Sequence, residues 1–179
     1  MKTVETRTLG EAWLETCRVV LADDVDGRYD DLPMREVANL SICVAEPDPQ
    51  DPTIAVLADP DWLAWMHRNF TAPDDVAELG NARSYGARFG DYARTGRDQV
   101  VWVIDRLRAD PGSRSATITT FEPLIDTTYI PCVSLLDFWL PDGRVELVVY
   151  AHSLDFGKKA YGTLALRWPG GDPNAARLR

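Results

Sequence analysis

The chain has 179 residues, 45% of them hydrophobic, and a formal net charge of −9. That length and apolar content supply one domain with a real core and hardly a second, and the acidic balance argues against nucleic acid as a partner. No apolar run approaches the roughly 20 residues that span a bilayer, and "MKTVETRTLGEAW" lacks a signal-peptide core, so a cytoplasmic protein without membrane attachment is expected. Cys17, Cys43 and Cys132 are widely spaced, and His67 and His152 are the only histidines. This set fits neither a disulfide framework nor a metal centre, and reduced thiols are expected.

Taken in chain order, "TLGEAWLETCRVVLADD" places Trp13, Leu14, Cys17, Val20 and Leu21 at helical spacing, with Thr8 as N-cap. After the polar stretch "DVDGRYDDLP", the alternation of Val37, Leu40, Ile42 and Val44 predicts a strand, closed by the loop "EPDPQDP". "DPDWLAWMHRNF" predicts a short helix begun by Asp59 or Asp61, and "DDVAELGNARSYGARFGDY" a helix fragment followed by a glycine-punctuated loop. Val100, Val103, Ile104 and Leu107 predict a helix that ends at Pro111-Gly112. "SATITTFEP" reads as a strand, a hairpin turns about Pro141-Asp142-Gly143, and "KKAYGTLALRW" as a strand or the start of a helix. The fold class is therefore α/β or α+β: a mixed sheet flanked by helices in one domain over residues 1–168, with a loose tail at 169–179.

The hairpin "SLLDFWLPDGRVELVVYAHSLDFG" ends in His152, Ser153 and Asp155 and is preceded by Cys132. A two-residue turn pairs Cys132 with Ser153, and a three-residue turn pairs it with His152. Thiol, imidazole and hydroxyl then lie close together. A neighbouring imidazolium favours the thiolate, the form that attacks carbon. The bland alternative is a cysteine buried as a small hydrophobe.

The segment from "RDQVVWVIDRLRADPGSRSATITTFEP" through "IPCVS" to "AHSLDFGKKAYGTLA" resembles thymidylate synthases and the related nucleotide hydroxymethylases. The resemblance rests on the Asp98-Gln99 helix start, Ser113-Arg114 at the helix end, Pro131-Cys132, and Ser153 to Asp155 after the hairpin, with no gap from Cys132 to Asp155. It covers Tyr85 to Ala165 well. "REVANLSICVAEP" and "WLAWMHRNF" look like the family's early strand and helix. It implies a thymidylate-synthase-like fold and a homodimer packed through the outer face of the hairpin sheet, which carries Leu135, Trp139, Val148 and Tyr150. The implied reaction starts with addition of Cys132 to a pyrimidine or pyrimidine-like small-molecule substrate. A one-carbon unit from 5,10-methylenetetrahydrofolate is then attached as methyl or hydroxymethyl. Carried over by position, Cys132 is the nucleophile, and His152, which the hairpin pairing brings beside it, is the second catalytic residue. Arg28, Arg35, Arg114, Ser153, Thr163 and Tyr85 are substrate-binding, Arg114 across the dimer, and Asp155 and Trp62 face the folate.

The departures matter as much. His152 stands where the family has a phosphate-binding arginine, Ser115 replaces a second arginine, Val133 replaces a histidine after the cysteine, and Thr163 replaces a base-reading Asn or Asp. Trp62 falls where a catalytic glutamate belongs. Charge-assisted bonds are worth ~1.5–3 kcal/mol each, so a dianionic phosphate loses several kcal/mol of binding. The alternative function is a catalytically silent relative that binds a ligand or serves in assembly. The remaining residues read as structural: Gly86 as a turn, Lys158 and Lys159 as solubilising charge, His67 as surface, and Trp102, Trp139 and Tyr150 as packing.

Overall fold

Thr8 starts the first helix by a reciprocal cap. In the computed structural model, β1 (Lys2–Thr6) leads into α1 (Leu9–Ala22), where the Thr8 hydroxyl accepts from the N–H of Glu11 and the Glu11 carboxylate accepts from the N–H of Thr8. The structure describes residues 1–22, 26–29, 31–127 and 129–165. These fall into two units, residues 1–66 with 155–165, and residues 67–154. The combination of helices and sheets is the expected one.

In the first unit, β2 (Asp26–Tyr29) and β3 (Leu32–Arg35) form an antiparallel hairpin where the sequence reads as a polar stretch. β4 (Leu40–Val44) is shorter than its apolar alternation predicts. It runs parallel to β1, from Lys2 opposite Leu40 to Thr6 opposite Val44. Parallel strands need a crossover, and α1 lies within it. β1 escapes sequence reading because Val4 is its one buried residue. Asp51 begins α2 (Pro52–Leu57): its Oδ1 accepts from the N–H groups of Thr53 and Ile54, while Oδ2 accepts from Gly10 of α1 at 2.9 Å. Burial pushes the Asp51 carboxyl up, but the donors from Gly10, Thr8, Thr53 and Ile54 outweigh it and hold it below the usual carboxylate range. α3 (Pro60–Thr71) is capped by Asp59, which settles the choice between two aspartates.

The second unit begins in the last turn of α3. Of the helix fragment expected after it only one 3₁₀ turn, Ala77–Leu79, forms, between the two-residue strands β5 (Asp75–Val76) and β6 (Ala82–Arg83). Gly80 and Asn81 both have positive φ, which no helix continues through. Helix comes later, as α4 (Tyr85–Gly90), capped by Ser84. A side chain on Gly86 would run into the backbone carbonyl of Ala72, so this glycine permits the close approach. α5 (Gln99–Ala109) is capped by Asp98, stops before Pro111-Gly112 and buries Val100, Val103 and Leu107. Three antiparallel strands follow in the order β7 (Ala116–Thr119), β8 (Val133–Trp139), β9 (Glu146–Ala151). Ala116, Ile118, Val133, Leu136 and Phe138 are buried, whereas Leu147 to Tyr150 are exposed. Phe70 stacks on Tyr85 with ring centroids 4.3 Å apart.

The chain then returns to the first unit. The segment read as strand or helix is α6 (Ala160–Leu164), a helix, whose Tyr161 joins Leu9, Trp13 and Ile54 in the unit's core. Residues 166–179, with Trp168 and the expected tail, lie outside the described residues. Among the described residues no helix is long and apolar enough to cross a membrane.

Candidate active site at the end of the hairpin

The connection between β8 and β9 is longer than a two- or three-residue turn: Trp139 pairs with Glu146 across six residues. That register alone would carry Cys132 opposite Ser153, since Leu135 lies opposite Tyr150. A bulge at Ser134 shifts it by one, so that Val133 faces Ala151 and the His152 N–H donates to the Cys132 carbonyl at 3.0 Å. Both sequence alternatives are thereby partly realised. The backbone pairs Cys132 with His152, and the Ser153 hydroxyl donates to the Cys132 sulfur at 3.5 Å. The imidazole Nδ1 lies 3.4 Å from the hydroxyl of Ser134, the bulge residue. Cys132 is half-buried, while His152 and Ser153 are exposed.

Around this end the second unit is built from polar groups. Tyr85 is buried, and its hydroxyl accepts from the Val133 N–H at 3.0 Å. Burial, opposed by that hydrogen bond, pushes its phenol far above the ordinary range, so it stays neutral. On the other side of the same residue, the Thr120 hydroxyl donates to the Val133 carbonyl, and the Thr120 N–H donates to the Ser134 carbonyl at 3.1 Å. Arg88 is 2% exposed. It donates to both oxygens of Asp126 at 2.8 Å and to the Thr120 carbonyl at 2.7 Å. Arg83 pairs with Glu122 at 2.8 Å, and the Asp126 carboxylate accepts from the Glu122 N–H at 2.7 Å. Gln99 bridges the carbonyls of Arg88 and Thr119 and accepts from the Thr119 N–H. Sequence reading missed Ser134, Thr120 and this ion cluster, whose partners lie more than 30 residues apart in the chain.

The other expected site residues are distributed as follows. In the second unit Arg114 is exposed in the loop between α5 and β7. The first unit carries the rest. Arg28 and Arg35 are exposed on the β2–β3 hairpin, each donating to a backbone carbonyl, of Asp31 and Leu21 respectively. Thr163 is half-buried on α6. Asp155 is exposed, and its Oδ1 caps the following turn by accepting from Gly157 and Lys158. Half-buried Trp62 lies edge-on to Trp65 at 5.9 Å, with the Lys159 ammonium 5.3 Å from each ring. Cys43 is exposed, because β4 buries little of either face. Trp102 is likewise exposed rather than packed.

The family model for thymidylate synthase matches residues 50–159, more than half of the chain. The chain belongs to the thymidylate synthase family. It is 38% identical over 82 residues to a putative thymidylate synthase of Methanosarcina acetivorans, covering 43% of this chain and 38% of that protein. Against the putative thymidylate synthase of Methanococcoides burtonii it is 28% identical over 164 residues, or 86% of this chain and 70% of that protein. The crystal structure of the thymidylate synthase of T4 phage aligns with a TM-score of 0.42 at 24% identity, over 55% of this chain and 35% of that one. The family member described here thus spans between about a third and about seven tenths of these relatives.

Proposed function

We propose that this member of the family is a one-carbon transferase that works through covalent attachment of Cys132 to a pyrimidine or pyrimidine-like ring. The observation that carries the reading is the hairpin end, where the Ser153 hydroxyl donates to a half-buried cysteine sulfur whose backbone is bonded on both sides. In the proposed step the thiolate adds to an unsaturated ring carbon, the S–C bond forms, and the electron pair moves to the neighbouring carbon, which becomes the nucleophile. Exposed His152, beside the bulge, is proposed to move a proton there. Ser153, Tyr85 and Thr163 are proposed to contact substrate, with Arg28, Arg35 and Arg114 as available cations.

The first unit carries the exposed carboxylate of Asp155 and the Trp62–Trp65 pair, side chains of the kinds that suit a flat, donor-rich heterocycle. Asp155 and Trp62 would hold methylenetetrahydrofolate, which supplies the one-carbon unit when bound. Lys159, over both indoles, adds a cation to that set. The exposed apolar side chains Val148 and Tyr150, beside half-buried Leu135 and Trp139, are proposed to pack in a homodimer. Sedimentation should give a dimer at micromolar concentration; a stable monomer removes Arg114 from a partner's site.

Substrates lacking a 5′-phosphate are favoured, because His152 and Ser115 occupy positions where the family places arginines. Labelled methylenetetrahydrofolate, incubated with pyrimidine nucleosides and their monophosphates, should deliver label to a nucleoside-like acceptor. Label transfer to none of them, with ligand binding retained, favours a silent, ligand-binding relative. Tight binding of deoxyuridylate in a calorimeter shows that other arginines rebuild a phosphate site.

A further inference from the structure

Val133, the residue that follows Cys132, is held on both sides by groups that trace back to one short helix. Tyr85 and Arg88 lie one turn apart on α4. Tyr85 accepts directly from the Val133 N–H. Arg88 acts through Thr120: the guanidinium takes the Thr120 carbonyl, and the Thr120 hydroxyl takes the Val133 carbonyl. The circuit α4–Val133–Thr120–α4 is closed by hydrogen bonds, and Asp126 locks the guanidinium with two parallel bonds at 2.8 Å. Thr120 is fully buried and Arg88 nearly so. Burying a guanidinium with carboxylates is a poorer way to stabilise a core than packing apolar side chains of the same volume. Such a network is therefore better explained by what it fixes than by the stability it adds, and it fixes the residue joined to Cys132 and, through the Thr120 N–H, the bulge residue Ser134.

We infer that Arg88, Thr120 and Asp126 are positioning residues, a clamp that sets the direction of the Cys132 thiol against the Ser153 hydroxyl. The inference rests on the reading of Cys132 as the nucleophile. Releasing the Val133 carbonyl frees the Val133–Ser134 peptide to rotate, Val133 then shifts with the Cys132 joined to it, and the sulfur leaves its hydroxyl donor. A displacement of this kind costs reactivity without opening the core.

The test uses the full chain and iodoacetamide at neutral pH, with the rate at each cysteine followed by peptide mass spectrometry. In the wild type, Cys132 should react faster than exposed Cys43. T120V, which keeps the shape and removes the hydroxyl, should slow Cys132 about tenfold and leave Cys43 unchanged. T120S, which restores the hydroxyl, should recover most of the rate, a rescue that loss of bulk packing would not show. Should T120V fail to fold, D126N loosens the guanidinium while keeping its volume and should slow Cys132 about threefold. A wild-type Cys132 no faster than Cys43 overturns the nucleophile reading and the clamp with it. A fast wild type, with T120V or D126N equally fast or faster, overturns the clamp alone.

Discussion

The two units are held together by different chemistry. The core of the first is aromatic and aliphatic, Leu9, Trp13, Ile54 and Tyr161, and its ion pairs Arg7–Glu46 and Arg18–Glu15 are exposed. The second buries two arginines and two carboxylates, Arg83, Arg88, Glu122 and Asp126, with side chains at most 9% exposed. Apolar burial is non-directional and tolerates adjustment, whereas a buried bidentate pair allows one geometry. The difference places directional bonding in the unit that carries the cysteine.

Breaking the contrast should have its largest effect at Arg88. Arg88→Met leaves Asp126 buried without its cation and should cost ~3–5 kcal/mol, read from the urea midpoint. Pairing it with Asp126→Leu should recover most of that stability without restoring the Cys132 rate. Recovery of both would make the pair ordinary packing.

A smaller effect is expected at Asp51, the one buried carboxylate of the first unit among the described residues. Asp51→Ala removes an N-cap and the bond to Gly10, and should cost ~1–2 kcal/mol. Because the folded-state carboxyl is held low, its stabilisation is complete above the unfolded value of about 3.9 and is lost as pH falls through the folded value. The melting-temperature gap between wild type and Asp51→Asn should therefore be flat from neutral pH down to about 5 and shrink below about 4. A gap that widens in acid contradicts the assignment.

The smallest change is expected at the surface. Arg18→Ala breaks a pair with Glu15 at 2.8 Å whose side chains are 70% and 46% exposed, and should shift stability by less than about 0.5 kcal/mol. A loss as large as that at Asp51 would erase the distinction between exposed and buried charge on which the comparison stands.

What could be read from the sequence follows the range of the interactions. α5 was legible because its apolar period, its Asp98 cap and its Pro-Gly stop are all local, and the hairpin because its two apolar runs share one turn. β1 was not: a five-residue strand with one buried side chain carries almost no pattern, and its partner lies beyond a whole helix. The turn at Gly80-Asn81 defeated a helical reading through backbone angles that composition only hints at. At the site, counting outward from the turn brought Cys132 to His152 and Ser153, yet the Ser134 bulge that divides the two contacts has no local signal. Cys43 is exposed on a strand that buries little of either face. Burial raises the Cys17 thiol, opposed by a hydrogen bond with Trp13, so Cys17 should be the slowest of the three.

If Cys132 bonds covalently to substrate as proposed, peptide mass spectrometry of the denatured reaction mixture reads the bond. With methylenetetrahydrofolate and the acceptor substrate, the wild type should carry substrate mass on the Cys132 peptide and on neither other cysteine. Cys132→Ser should lose the adduct and turnover while binding the acceptor within about threefold, because the nucleophile acts on the barrier more than on ground-state affinity. Turnover that survives in Cys132→Ser would contradict the account.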